Sequence, residues 1–453
     1  MNYRTNTLIA LRQVRPWTSR DSANITFSKT MNDSKKINVV VIGAGFGGIA
    51  CVKKLAKDEN VHVTLVDRRN HHLFQPLLYQ VATATLAAPQ IARSVRSIFR
   101  KNDNVDVLYD LATDFDLDQK LVKFENGPDL SYDYLVVATG AQTSFFGNDQ
   151  WADHVFQLKT LSGAFHIRKQ VLRNIELAET APEAEQDILS TIAIVGGGPT
   201  GVELAGAFAD LIKNQMKRSF TNFDPSKLRI VLIEGMANVL GVFDEDQSQY
   251  AQKHLEKIGV EVRTNAMVSN IEPNKVTLKD GETIDAGTII WTAGVQATPL
   301  TQKLGGELTR GGLVIVNDNL QLPGHEDVFI IGDTAAIKYG ERFVPGVAPA
   351  AVQGGEYVSN HILSTENGTR VPSPFSYYDK GKMAIIGQFS AIVDVNGFKL
   401  QGLAGWAVWL LIHVLFLIDY RSQVSVLGSW FWSYLRAMPG ARVFTSSAEE
   451  TVQ

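Results

Sequence analysis

Short, unbroken apolar runs bounded by glycine recur along the chain, and their length and composition suit strands buried on both faces. Ile37 to Ile42 and Val61 to Val66 are such runs, rich in valine as buried parallel strands are. Between them lie Gly43-Ala44-Gly45-Phe46-Gly47-Gly48 and a helix-like stretch from Ile49 to Ala56. The order then repeats: strand Thr191 to Val195, loop Gly196-Gly197-Gly198-Pro199-Thr200-Gly201, helix Val202 to Leu211, strand Leu228 to Ile233. Two further strands close the units, Tyr134 to Val137 running into Ala138-Thr139-Gly140, and Thr288 to Trp291 running into Thr292-Ala293-Gly294. A last strand, Val328 to Ile331, delivers Gly332 and Asp333 into a loop.

The spacing within each repeat has a chemical reading. In strand–GxGxxG–helix units the first glycine makes the tight turn, the second lets the backbone approach a pyrophosphate, and the third lets helix and strand pack closely. Gly43, Gly45 and Gly48 hold these places in the first unit, and Gly196, Gly198 and Gly201 in the second. The helix N-terminus then faces the pyrophosphate with its free N–H groups. Asp67 ends the second strand nineteen residues past Gly48, where a carboxylate accepts from a ribose hydroxyl. Glu234 ends the corresponding strand of the second unit and is followed by Gly235, Met236 and Ala237. No arginine stands there for a 2′-phosphate, which favours NADH over NADPH.

Composition narrows the chemistry. Of 453 residues, 45% are hydrophobic and 20% charged, as in a chain with a sizeable core. The formal net charge of −4, without a basic block interleaved with aromatics, gives no reason to expect a nucleic-acid partner. The single cysteine, Cys51, rules out intrachain disulfides, multi-cysteine zinc sites and iron–sulfur clusters. No metal site is expected, and no EF-hand loop is visible. Cys51 follows the first glycine loop on the expected helix, where it reads as a small buried hydrophobe.

Taken together, the two GxGxxG loops, Ala-Thr-Gly and Gly-Asp resemble the two-dinucleotide-binding-domain flavoproteins over roughly residues 37 to 355. The resemblance implies an α/β fold of two Rossmann-like domains, the second inserted in the first. It implies non-covalent FAD on the first unit, held by Gly43, Gly45, Gly48, Asp67, Gln75, Thr139, Gly140, Gly332 and Asp333. NADH would lie on the second, at Gly196, Gly198, Gly201, Glu234, Ala293 and Gly294. Members that work through paired cysteines are excluded by the lone Cys51. Three segments resemble type II NADH:quinone dehydrogenases: His72 to Thr83, Val347 to Gln353, and Tyr378 to Ala384. In the second of these, Pro349 stands where the family's quinone motif has its first glutamine, and Gln353 keeps the other. Gln353 and the Phe74 to Tyr79 segment are therefore expected near a quinone, ubiquinone or menaquinone. Glu203 reads as a helix-start carboxylate favoured by the dipole, and by resemblance could lie near the nicotinamide–flavin interface. Lys380 reads as its partner or a proton source. For Glu203 and Lys380 a helix-terminus charge and a surface lysine are the bland alternatives.

The implied activity is oxidation of NADH by FAD with two-electron reduction of a membrane quinone, without proton pumping. The rivals are a soluble NAD(P)H-dependent flavin reductase serving a protein acceptor, and a non-enzymatic NADH-sensing flavoprotein. The expected organisation is an extension over 1–36, the FAD domain over 37–150 and 300–375, the NADH domain over 151–299, and a membrane-anchoring region over 376–453. The first 36 residues carry only Asp21 and Asp33 as acids, a transit-peptide composition that a flexible extension or a chain start at Met31 explains equally. Leu400 to Ile418 has no formal charge, and Val424, Leu427, Phe431 and Tyr434 recur at helical spacing. Trp406, Trp409, Trp430 and Trp432, with Lys399, Arg421, Arg436 and Arg442, suggest helices lying on an anionic membrane surface over about 399–442. A homodimer interface likes the same residues, and a single span is the third option. The expected location is the cytoplasmic face of a bacterial inner membrane, with an organelle left open.

Overall fold

The computed structural model describes residues 36–211, 221–224, 227–417 and 419–436. The expected extension lies outside them but for Lys36. Following the chain, β1 (Ile37–Ile42), α1 (Phe46–Leu55), β2 (Val61–Asp67), β3 (Val105–Tyr109) and β4 (Tyr134–Val137) build the first unit. The second follows with β5 (Phe156–Gln157), β6 (Thr191–Val195), α2 (Pro199–Leu211), β7 (Arg229–Ile233), β8 (Val260–Arg263) and β9 (Thr288–Trp291). The chain then returns through β10 (Gln321–Leu322), β11 (His325–Ile330) and α3 (Ala348–Glu366). A meander of β12 (Lys382–Gly387), β13 (Ser390–Val395) and β14 (Phe398–Gln401) leads into α4 (Gly402–Leu415) and α5 (Tyr420–Arg436).

The two units are built alike. The first sheet runs β10-β11-β4-β1-β2-β3, parallel except for β10, and the second runs β5-β9-β6-β7-β8, parallel throughout. A three-stranded antiparallel meander separates β3 from β4, over 112–131, and another separates β8 from β9, over 268–285. Strands buried on both faces explain the continuous apolar runs: Val39, Val41, Val63 and Leu65 in the first sheet are as inaccessible as Ala193, Ile194, Val231 and Leu232 in the second. The chain crosses between units through a two-stranded ribbon, Ala141–Thr143 paired with Val295–Ala297.

Both glycine-loop helices begin three residues earlier than expected, at Phe46 and Pro199. The loops' own residues form the first turn, and Pro199 is at home there because its missing N–H needs no partner. α1 lies directly against α3, with Gly355 packed so close to Gly47 that a Cβ would collide with the Gly47 carbonyl. α2 lies against β12 in the same manner, through Gly206 and the Ile386 carbonyl.

Candidate active site at two glycine loops

Each loop forms where a strand meets its helix, and the two have the same geometry. Gly43 and Gly196 adopt φ of +109° and +111°, a region closed to side chains. A Cβ on Gly48 or Gly201 would collide with the carbonyl of Gly43 or Gly196, which is the close helix–strand packing expected. Gly45 and Gly198 have nothing within 4 Å of where a Cβ would stand, so the backbone there is open to a ligand. No side chain caps α1 at Gly45, which leaves its first amides free for an anion. These cradles fit the pyrophosphate of a dinucleotide.

The middle residue of each loop is pinned on both sides. The Ala44 amide donates to Asp67 Oδ2 at 2.6 Å, and its carbonyl lies 2.9 Å from His72 Nδ1. A carbonyl can only accept, so His72 carries its proton on Nδ1. Burial holds this imidazole below its usual pKa, and therefore neutral. In the second unit the Gly197 amide donates to Glu234 Oε2 at 2.6 Å, and its carbonyl accepts from the Leu240 amide at 2.7 Å. Asp67 Oδ1 and Glu234 Oε1 each accept the amide two residues on, from Arg69 at 2.7 Å and Met236 at 2.8 Å.

The turns closing the units lie beside these loops. Gly140 and Gly294 take φ of +70° and +69°. The Gly140 amide donates to Thr334 Oγ1 at 2.8 Å, and Thr139 and Thr298 join their hydroxyls at 3.0 Å. The Ala293 amide stands 2.7 Å from the Cβ position of Gly196, and Thr292 Oγ1 donates to the carbonyls of Val195 and Gly196 at 2.9 and 3.0 Å. Gly332 and Asp333 open a short turn after β11, with the Asp333 carboxyl 3.2 Å from the Cβ position of Gly346. Gln75 begins a 3-10 turn with its side chain exposed, while neighbouring Phe74 is buried.

Glu203 corrects an expectation. Because α2 starts at Pro199, Glu203 lies beyond the first turn, where the dipole's favour fades. Burial of its carboxyl, only partly offset by a hydrogen bond from the Ile385 amide, pushes its pKa up to about 8. The side chain keeps some exposure, so desolvation of the charged form, not isolation from solvent, sets its state. Among the described residues no ion pair joins it to Lys380. The Lys380 ammonium instead sits 5.7 Å above the Phe416 ring.

Gln353 acts differently from a free glutamine. Its Nε2 donates to the Tyr378 carbonyl at 3.0 Å and its Oε1 accepts the Tyr378 amide at 3.0 Å. Both ends of the amide thus hold the backbone just before Asp379 and Lys380. Nothing in local sequence signals this pairing across twenty-five residues. Cys51 is buried, its thiol pushed up to about 12 by desolvation, and serves as packing.

The tryptophan reading of the C-terminal region also needs correction. Trp430 is 1% exposed and its Nε1 donates to buried Gln80 at 2.7 Å. Trp409 stacks on His413 at 4.1 Å in the same core, and burial drives the His413 pKa down to about 4. Lys399 is paired with Asp244 and Asp246 at 2.6 and 3.2 Å. Gln90 grips Ser425 and Ser429, and Arg93 pairs with Asp419 at 3.0 Å. The contacts of Gln80, Gln90 and Arg93 tie α5 and Asp419 just before it to the stretch that follows Phe74 to Tyr79. Leu411, Leu415, Phe416, Val424, Leu427 and Phe431 remain exposed, as does Trp432. No described helix is long and apolar enough to cross a membrane. Tyr434, Arg436 and Arg442 lie outside the described side chains.

Comparison with known proteins agrees with this geometry. The sequence pattern described as pyridine nucleotide-disulphide oxidoreductase matches residues 37–355. The chain is 37% identical to the type II NADH:quinone oxidoreductase Ndh of Mycobacterium tuberculosis, over 92% of this chain and 92% of that protein. It is 31% identical to a type II NADH:quinone oxidoreductase of Staphylococcus haemolyticus, over 82% of this chain and 92% of that one. The solved structure of NDH2 from Plasmodium falciparum in complex with NADH shares the fold at a TM-score of 0.82 and 21% identity, covering 90% of this chain and 100% of that chain.

Proposed function

Because the chain belongs to the pyridine nucleotide-disulphide oxidoreductase family, and within it to the type II NADH:quinone oxidoreductases, we propose that it oxidises NADH with a bound, non-covalent FAD and passes both electrons to a membrane quinone. The observation that carries this is the pair of matched glycine loops, each with its carboxylate-pinned centre, in a chain with one cysteine. FAD, when bound, supplies the two-electron relay between nicotinamide and quinone.

Everything else falls to side chains and backbone. The α1 amides and Gly45 hold the pyrophosphate of FAD, Asp67 its ribose, and Asp333 the far end of the cofactor. Gly198, Gly201 and Glu234 do the same for NADH. The Glu203 carboxyl, with a pKa of about 8, keeps a proton at neutral pH in a half-buried position. It can thus release that proton where quinone reduction consumes one. Gln353 holds the Tyr378 backbone so that Lys380 stays beside the quinone path, a positioning role. Pro349 needs no compensation in this scheme, because Gln353 acts through the backbone.

The exposed apolar face of α4 and α5 rests on the membrane surface and gives an apolar quinone a route to the Phe74 to Tyr79 segment. Phe431, 66% exposed, lies on that face. The same face is the candidate for self-association into a homodimer, and flotation with anionic vesicles, alongside sizing in their absence, separates the two roles. The location proposed is the one expected from sequence, the cytoplasmic face of a bacterial inner membrane, with an organelle as the alternative.

Steady-state oxidation of NADH by FAD-loaded protein, with and without a short-chain ubiquinone and beside NADPH, tests the activity. Turnover that requires quinone and prefers NADH is expected. Flavin reduction without quinone turnover would transfer the reaction to a protein acceptor.

A further inference from the structure

A strained aromatic turn stands at the edge of the second glycine loop. Phe145, Phe146, Gly147 and Asn148 form a tight turn closed by the Asn148 amide on the Phe145 carbonyl at 3.1 Å. Phe146 and Gly147 both take positive φ, +54° and +91°. Turns of this hand ordinarily place Gly, Asn or Asp at the first of these positions, because a Cβ crowds the backbone there. Phenylalanine is a poor fit, and burial does not compensate for it: the side chain is 69% exposed. Phe389 also has positive φ, +62°, but its ring packs edge-on against Trp406 at 5.0 Å.

What the Phe146 turn does achieve is the position of its ring. The ring lies over Gly294, so that a Cβ there would stand 2.5 Å from the Phe146 Cζ. Gly294 directly follows Ala293, which touches Gly196 of the glycine loop. This is the crevice beyond the strand ends of an open parallel sheet, where such sheets bind their ligands. Trp291 supports the ring, with centroids 6.3 Å apart, and Ser144 Oγ accepts the Phe146 amide at 3.3 Å. The first unit offers an internal control. Its equivalent glycine, Gly140, has nothing within 4 Å of its Cβ position. Among the described residues, an aromatic ring covers the closing glycine of the second unit and not that of the first.

Backbone strain kept at an exposed position points to function more than to stability. We propose that Phe146 is a dinucleotide-contacting residue: its exposed ring, held in a strained turn beside Gly294, is the wall against which bound NADH packs. This rests on the assignment of NADH to the second unit. The ring leaves the hydride-transfer chemistry untouched and acts on affinity.

The test is NAD+ binding to FAD-loaded protein by titration calorimetry, with thermal melting in parallel, for wild type, Phe146→Asn and Phe146→Tyr. Asparagine keeps the left-handed backbone and removes the ring, whereas tyrosine keeps the ring. Phe146→Asn is expected to weaken NAD+ binding about tenfold, the size of one lost aromatic contact, at a Tm no lower than wild type. Phe146→Tyr should stay within about twofold on the same scale. Unchanged affinity in Phe146→Asn overturns the proposal. So does weaker binding together with a lower Tm, which would mark the ring as packing. Wild-type protein that binds no NAD+ overturns the NADH assignment itself, and this proposal with it.

Discussion

The two nucleotide-binding units share strand order, glycine geometry and a pinned loop, and they differ in what surrounds the loop. The first is closed by α3, which lies hard against α1 through Gly47 and Gly355. In the second, α2 packs instead against β12 through Gly206, and Met236, beside Glu234, is 68% exposed. A covered site suits a cofactor that stays, and an open one suits a dinucleotide that exchanges every turnover. A second difference lies in the pinned residue. Ala44 sits beside Asp67, whereas Gly197 sits beside the longer Glu234, whose Cβ and Oε2 stand 2.9 Å from where a Cβ on Gly197 would be. Alanine with aspartate and glycine with glutamate are two solutions to the same spatial constraint.

The largest expected effect separates the units outright. Gly48→Ala and Gly201→Ala each drive a methyl group into a backbone carbonyl, a worse clash than ordinary core overpacking. Gly48→Ala should yield protein lacking FAD. Gly201→Ala should retain FAD, yet NADH should reduce it about a hundredfold more slowly. Equal loss of FAD in both, measured by absorbance after gel filtration, would erase the division of labour.

Next in size is Glu203→Gln. General acid–base groups contribute roughly a hundredfold or more, so quinone-dependent kcat should fall on that order. Wild-type turnover should decline as pH rises through about 8, where the carboxyl loses its proton, and the variant's profile should be flat there. Stability carries the same sign. The folded pKa is raised from 4.5 to about 8, so the native state binds a proton that the unfolded state has released. The contribution of Glu203 to stability is therefore largest below pH 4.5 and declines as pH rises toward 8, a component of the pH dependence that the variant should lack. An unaltered pH–rate profile in Glu203→Gln would remove the proton role.

Smaller effects sharpen the comparison. Gly197→Ala should weaken NAD+ binding about tenfold, and adding Glu234→Asp should restore most of it, because the pair then copies Ala44 with Asp67. Additive losses in that double-mutant cycle would show that the two positions do not share space. Gln353→Ala frees the Tyr378 backbone and should lower quinone-dependent kcat by about fivefold, with flavin reduction by NADH unchanged. A loss confined to NADH reduction would place Gln353 on the wrong half-reaction.

How much of this could be read from sequence follows from how local each constraint is. The glycine loops were legible because backbone geometry dictates residue type at fixed spacing, as the matching φ of Gly43 and Gly196 shows. The carboxylates at the ends of β2 and β7 were legible for the same reason. The environment of Glu203 was not, since its desolvation comes from packing against β12, nearly two hundred residues on. Gln353 stands out in the local sequence pattern, but its grip on Tyr378 is a tertiary pairing. Composition misled at the C-terminus: Trp409 and Trp430 counted toward a membrane face, yet both are core residues, while Leu411, Val424 and Phe431 form the exposed face. Helical spacing distinguishes an apolar stripe from its surroundings but does not say which stripe faces the protein.

The most direct test of the central claim is anaerobic mixing of FAD-loaded wild type and Gly201→Ala with NADH, followed by a short-chain ubiquinone, with flavin absorbance recorded throughout. Rapid bleaching in wild type and full return on adding quinone are expected, with bleaching slowed about a hundredfold in Gly201→Ala. Bleaching that persists in the presence of quinone, or that is equally fast in both proteins, would contradict that claim.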